Sequence, residues 1–251
     1  MRRILCLDVG NTSAHWGLAE GLRIVESGSL ATASVGDLLP GLMGRLGPES
    51  ASLASVVPEV AAVAWGILGR LPDAHHLRHD TVRGLGFDYP HPREVGQDRL
   101  ANCIGAQVAV GAPAVIVDMG TATTFDVLTA KGYAGGVIAP GLSVMTSYLH
   151  GRTALLPELD PESIREGPAV GKSTLDAMRA GCALGFAGMI ERILDALLAE
   201  LAGQGVRSPT LLATGGTAGF LPPSLSARLR REPHLTLVGL AESWRRARED
   251  G

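Results

Sequence analysis

Lysine is almost missing from these 251 residues: only Lys131 and Lys172 occur, so arginine carries nearly all the positive charge. That balance favours bidentate pairing with carboxylates and phosphates, yet it also follows from a GC-rich genome and assigns no function by itself. No excess of charge exists either. The formal net charge is −3, no basic stretch offsets it, and the electrostatic footprint of a nucleic-acid binder is therefore lacking. Cysteine is confined to Cys6, Cys103 and Cys182, an odd and widely spaced set. It fits neither a disulfide framework nor a zinc site and reads as buried thiols in a reducing compartment. No apolar run approaches the ~20 residues of a membrane span, and the apolar stretch before Asp8 is only Ile4 to Leu7, too short for a signal peptide. The expectation is a cytoplasmic protein with no membrane and no nucleic-acid partner. The remaining composition, 46% hydrophobic and 19% charged, is that of a globular chain able to bury one large or two modest cores.

What the chain does hold is one short pattern written twice. ILCLDVGNTSAHWGL runs from Ile4 to Leu18, and VIVDMGTATTFDVL from Val115 to Leu128. Each is an apolar run ending in Asp-x-Gly, a small hydroxyl-rich turn and a second apolar run, the outline of a strand, a tight turn and a returning strand. A single Asp-x-Gly would simply end a strand. Two copies with matching flanks point instead to a nucleotide clamp, because turn amides and hydroxyls hold phosphate oxygens and a carboxylate at the rim takes a metal ion or its water shell.

The pattern between these copies is strands first, then alternation. Strands are expected at Arg3 to Leu7, Ala14 to Ala19, Leu22 to Leu30 and Ser52 to Val57, with helices at Val35 to Leu46, Glu59 to Leu71 and Asp98 to about Val110. The Gly- and Pro-rich stretch Gly84 to Val95 is loop. Gly111-Ala112-Pro113 punctuates the chain and marks a boundary between domains at 1–113 and 114–251. Beyond the second hairpin come a strand at Tyr133 to Pro140, a helix from Leu142, loop over Leu156 to Pro168, a long helix from Ser173 to Leu201 with Gly181, Gly185 and Gly188 along it, and a strand at Pro209 to Thr214. An Arg-rich helix from Glu242 to Glu249 closes the chain and is expected to be a solvated face. This order suggests an α/β architecture of mixed sheets covered by helices.

In order, DVGNT at Asp8, VGQDR at Val95, VDMGTATTFD at Val117, GGVIAPGL at Gly135, RTALLP at Arg152, GKST at Gly171 and TGG at Thr214 resemble the motif set of the type III pantothenate kinases over essentially the whole chain. The resemblance implies the duplicated ribonuclease H-like (actin-like ATPase) fold shared with acetate and sugar kinases, Hsp70 and actin: two mixed-sheet domains with an interdomain cleft. It implies transfer of the ATP γ-phosphoryl to the primary hydroxyl of pantothenate, the first step of coenzyme A synthesis. Carried over by motif, Asp8, Val9, Gly10, Asn11, Thr12, Ser13, Ala14 and His15 form the first phosphate loop, and Thr121 belongs to the second. The resemblance makes Asp98 look like the general base and Asp118 like the ligand of a monovalent cation, potassium or ammonium, with magnesium accompanying ATP. Tyr89, Gly96, Gln97, Asp98, Arg99 and Thr174 resemble the pantothenate contacts. A homodimer is implied, with Thr174 reaching the neighbouring subunit's site. Ala14-His15-Trp16 departs from the commonest form of the family. The rival readings are a catalytically silent nucleotide-binding regulator of the same fold and a sugar or acetate kinase.

Independently of the resemblance, phosphoryl transfer asks for hydroxyls, N–H groups, a metal ion and one placed carboxylate, not a covalent nucleophile. Asp98 could also be a helix N-cap, but the adjoining Arg99 keeps a carboxylate ionised and can pair with an anionic substrate such as pantothenate. Gly167 to Thr174 almost spells a Walker A loop, one residue short and without a preceding strand. His75, His76 and His79 have metal-like spacing but no fourth ligand nearby.

Overall fold

The computed structural model describes residues 2–164 and 167–249. In chain order its strands and helices are β1 (Arg3–Val9), β2 (Ser13–Glu20), β3 (Arg23–Ala31), α1 (Val35–Leu46), β4 (Ser50–Ser55), α2 (Pro58–Leu68), β5 (His75–His76), α3 (Gln97–Ala109), β6 (Ala114–Met119), β7 (Ala122–Thr129), β8 (Gly132–Pro140), α4 (Leu142–Gly151), α5 (Thr174–Gly203), β9 (Thr210–Thr214), α6 (Pro223–Ser226), β10 (Arg230–Arg231) and α7 (Leu235–Glu249). They group into two compact units that are not contiguous in sequence. One comprises Met1–Ala112, Asp126–Gly135 and His234–Gly251; the other comprises Pro113–Phe125 and Gly136–Pro233.

The first sheet has the order β3-β2-β1-β4-β5 and the second β10-β9-β6-β7-β8, the same order read from the other edge. In the first, β1, β2 and β3 form an antiparallel meander, and β4 joins β1 in parallel with Asp8 opposite Ala54. In the second, β9 joins β6 in parallel with Asp118 opposite Thr214. The two Asp-x-Gly turns thus sit at equivalent corners of equivalent sheets.

Strand periodicity decides which side chains meet which helices. Leu5, Leu7 and Val9 of β1 join Ala51 and Leu53 of β4, Trp16 of β2, and Leu39, Leu42, Ala64 and Leu68 of α1 and α2 in one core. The alternate residues, including Ser50, face α7, whose Trp244 donates its Nε1–H to the Ser50 hydroxyl at 2.8 Å. All six residues of β4 are buried, as expected of a central strand covered on both faces.

The C-terminal helix departs from expectation. It begins at Leu235, not Glu242, and Leu235, Leu237, Leu240, Ala241 and Trp244 are buried against the first sheet and α3. Its arginines are not simply solvated: Arg245 and Arg246 both grip Glu242, itself 4% exposed, at 2.7 Å. Arg246 also donates to the side chain of Gln107 on α3 and to the Gly84 carbonyl.

In the second unit, Met178, Cys182, Phe186, Ile190 and Leu194 form the buried stripe of α5 at a spacing of four, which leaves Gly181, Leu184, Gly185 and Gly188 exposed on another face. The segment expected as loop over Leu156 to Pro168 contains a 3-10 turn at Pro161–Ser163; its residues 165 and 166 lie outside the described residues.

Candidate active site

The turn expected to hold phosphate oxygens joins β1 and β2. Gly10 donates its N–H to the Ser13 carbonyl at 3.0 Å, and Thr32, at the end of β3, braces the crest from behind: its hydroxyl donates to the Gly10 carbonyl at 2.7 Å and its N–H to the Thr12 carbonyl at 3.1 Å. Asn11, Thr12 and His15 are exposed, Asp8 and Ser13 half-buried, and Val9 and Ala14 buried. The turn therefore shows polar groups outward on an apolar footing.

The loop of Asp98 is stitched to that strand. Val9 lies opposite Ser55 of β4, the Ser55 N–H donates to Gln97 Oε1 at 2.7 Å, and His76 Nε2 meets the same oxygen at 3.1 Å. Gln97 opens α3, so Asp98 follows directly from a residue held one strand away from the phosphate turn. The Gln97 side-chain oxygen is thereby committed to the scaffold. The helix cap is Gly96, and Asp98 stands inside the first turn, where its Oδ1 accepts the Arg99 N–H at 2.8 Å. A Cβ at Gly96 would overlap that carboxylate, so a side chain there would displace Asp98 from this position. Burial raises the pKa of Asp98 above the ordinary carboxylate value, only partly opposed by the backbone N–H and the charge of Arg99. A carboxylate so raised is a stronger base than a solvated one.

Around Arg99 lies a cluster whose full membership sequence reasoning did not find. Arg99 Nε pairs with Asp126 Oδ1 at 2.6 Å, and its guanidinium lies 5.5 Å from the Tyr133 ring centroid. Tyr133 meets Tyr89 edge to face at 5.4 Å. Tyr89 is placed by backbone pairing of its loop with β8: Asp88 N–H donates to the Tyr133 carbonyl and Tyr133 N–H to the Gly86 carbonyl, each at 2.9 Å. Gly132, at φ +113°, permits this approach, since a Cβ there would collide with the Gly86 backbone. One signal for Asp126 does exist in the sequence: an acid inside the apolar run Phe125 to Leu128 is a buried charge that must find a partner.

In the second unit the equivalent turn is shorter, with the Gly120 N–H donating to the Ala122 carbonyl at 3.0 Å. Asp118 is half-buried and Thr121 exposed. Gly141 closes over the turn, its N–H donating to the Thr121 carbonyl at 3.0 Å, and only glycine fits there because a Cβ would overlap the Gly120 and Thr121 carbonyl oxygens. Carboxylate and carbonyl oxygens are the ligand types that a hard cation takes, and Asp118 and the Gly120 carbonyl lie at this one short turn. Thr174 is exposed at the first position of α5, whose cap is the Ser173 hydroxyl accepting the Asp176 N–H at 3.1 Å. The near-Walker stretch, Lys172 included, borders a cavity of about 420 Å³ together with Asp176 and Arg179. His75 bonds Ser243 and His76 bonds Gln97, and among the described residues no group of three or more His, Cys, Asp or Glu side chains is placed to hold a metal ion.

A profile of the type III pantothenate kinase family matches residues 4–196. A type III pantothenate kinase of Akkermansia muciniphila is 39% identical over 239 residues, covering 94% of this chain and 96% of that protein. One of Streptomyces coelicolor is 37% identical over 257 residues with the same coverage, 94% and 96%. Among solved structures, a Campylobacter jejuni protein described as a Baf family transcriptional activator superposes with a TM-score of 0.63 at 17% identity, covering 98% of this chain and 99% of that one. The two equally ordered sheets and this structural likeness bear out the α/β fold of two mixed sheets that the resemblance implies.

Proposed function

This chain belongs to the type III pantothenate kinase family, and on that premise we propose how its residues divide the work of an ATP-dependent pantothenate kinase. The reaction moves the γ-phosphoryl of ATP to the primary hydroxyl of pantothenate and begins coenzyme A synthesis. The acceptor oxygen forms a bond to phosphorus, the bond from phosphorus to the ADP oxygen breaks, and the hydroxyl proton goes to Asp98.

The observation that supports this assignment is the tie from Ser55 of β4, opposite Val9, to Gln97, which holds the residue before Asp98 one strand away from the strand that ends in the first phosphate loop, while burial raises the pKa of the Asp98 carboxylate. One Asp98 oxygen is oriented by the Arg99 N–H, and the carboxylate then accepts the proton. Residues Asp8 to His15 and Thr121 bind the triphosphate through turn amides and hydroxyls. Arg99 takes the pantothenate carboxylate, with Tyr89 and the Gly96–Gln97 backbone flanking the acceptor. Thr174 adds a contact from the neighbouring subunit.

Neither lysine belongs to a phosphate loop, and Lys131 pairs with Asp88 at 3.3 Å on the surface. We assign the missing positive charge to potassium or ammonium held by Asp118 and nearby carbonyl oxygens, where it would offset the charge of the incoming triphosphate. Magnesium would accompany ATP and neutralise phosphate charge, and Asp8 would hold it through its water shell.

The homodimer reading draws support from exposed apolar side chains on the second unit, where Leu184 is 58% exposed, Tyr148 64% and Ile138 64%. No described helix is long and apolar enough to cross a membrane. The cytoplasmic assignment rests on the three cysteines being free and buried. The test is a coupled ADP-release assay offering pantothenate, acetate and hexoses in turn. Release is expected with pantothenate alone; release with a sugar or acetate instead would overturn the acceptor assignment.

A further inference from the structure

Asp126 has no part in the roles above, yet it is the most deeply buried acid among the residues around Arg99. Its side chain is 0% exposed, and its partner Arg99 is 12% exposed. Burying an ion pair rarely stabilises a fold more than apolar packing of the same volume would, so a buried pair next to a candidate site asks for another explanation.

The guanidinium offers one. Its Nε edge is taken by Asp126 at 2.6 Å, and its central carbon lies over the ring of Tyr133, itself 1% exposed, 5.5 Å from the centroid. Ion pair and ring together restrict where the group can lie. Its Nη2 is buried and has no hydrogen-bond partner. A buried cationic donor left unpaired is costly unless something else satisfies it.

We infer that Asp126 is a positioning residue for the acceptor: it holds Arg99 by the Nε edge so that the Nη edge is presented to the carboxylate of pantothenate. This rests on the reading of Arg99 as the acceptor-carboxylate contact. Asp126 does not touch the acceptor; it sets which donors of Arg99 remain for it. A purely structural role is the competing account, because the pair also ties the β7–β8 tip to α3 within the first unit.

The two accounts differ in what they do to acceptors with and without a carboxylate. Full-length wild-type protein and Asp126→Asn are compared by steady-state kinetics with pantothenate and with its alcohol analogue, in which the carboxylate is replaced by CH2OH, alongside KM for ATP and the melting temperature. The expected result is a loss of about 10- to 100-fold in kcat/KM for pantothenate, the size of a misplaced charged hydrogen bond, expressed in KM. For the alcohol, and in KM for ATP, less than about 3-fold change is expected on the same reasoning. If Asp126→Asn does not fold, Asp126→Glu carries the test, since it keeps the charge and moves the carboxylate by one methylene relative to the Arg99 Nε; the same acceptor-selective loss is expected. Equal losses with both acceptors, or no loss with either, would overturn the inference while the kinase reading stands. Wild-type protein that releases no ADP with pantothenate would overturn both.

Discussion

Gly239→Ala is a demanding test of the packing that holds the candidate base. Helices α3 and α7 cross with a glycine from each. A Cβ on Gly239 would lie 2.7 Å from the Ala101 carbonyl carbon and 3.0 Å from the Gly105 nitrogen, and would overlap the Ala101 carbonyl oxygen; one on Gly105 would lie 3.1 Å from the Leu235 carbonyl carbon. Carbon atoms in contact prefer about 3.5 to 4.0 Å, so the helices must part by roughly an ångström at a point made of backbone, which cannot rotate away. Overpacking of this kind destabilises by about 1 to 3 kcal/mol, and for a chain of this size the melting temperature should fall by roughly 3 to 10 °C. The displaced helix carries Gln97, Asp98 and Arg99 in its first turn. Turnover should therefore fall as well, by up to about 10²-fold for an ångström of misplacement. Gly66→Ala is the control in the same unit. That glycine is exposed inside α2 with nothing within 4 Å of the added carbon, so alanine should stabilise by about 0.5 to 1 kcal/mol. The assay is calorimetric melting with a parallel turnover measurement. A Gly239→Ala protein that melts at or above wild type would refute the described α3–α7 contact.

Three further outcomes are expected. Burial, then the charges of His76, Arg83 and Arg78, lowers His75 to about 4. Its neutral form is favoured by folding, so its stabilising contribution is present above the unfolded pKa near 6.5 and is lost as pH falls from there toward 4; melting temperature should fall over that window, and His75→Gln should flatten the slope. Activity should rise when sodium is exchanged for potassium at constant ionic strength, chiefly through KM for ATP, and Asp118→Ala should abolish the response; equal rates in the two salts would remove the cation assignment. Light scattering at micromolar concentration should return twice the 26.0 kDa chain mass, and Leu184→Glu on the exposed face of α5 should halve it; a wild-type monomer would contradict the dimer.

The two Asp-x-Gly hairpins were legible because each is local: strand, turn and return are written in one run of residues, and both came out at equivalent corners of equally ordered sheets. Helix α1 was legible to the residue, since Val35, Leu39, Leu42 and Leu46 mark its buried stripe and Gly47 ends it in the left-handed conformation. What stayed hidden depends on partners distant in sequence. The opening of α7 was missed because its apolar residues pack on α3, some 130 positions earlier, and because its arginines suggest solvent when they in fact pair with Glu242. Grouping of Asp126–Gly135 with the first unit follows from backbone pairing of Tyr133 with Gly86 and Asp88, in a loop whose glycines and prolines signal only irregularity. The part played by the Gln97 side chain also turns on a neighbour, His76, that no spacing rule connects to it.

The central claim is that Asp98 takes the proton of the pantothenate hydroxyl, and turnover of Asp98→Asn tests it most directly. The substitution keeps the shape of a side chain that accepts the Arg99 N–H, so melting should stay near wild type while pantothenate-dependent ADP release falls by about 10² to 10⁴-fold. Wild-type turnover should itself decline as pH drops through a pKa above the ordinary carboxylate value, because burial holds Asp98 raised and the protonated form is no base. Folded Asp98→Asn protein with wild-type turnover would contradict the account and leave Asp98 as no more than a first-turn helix residue.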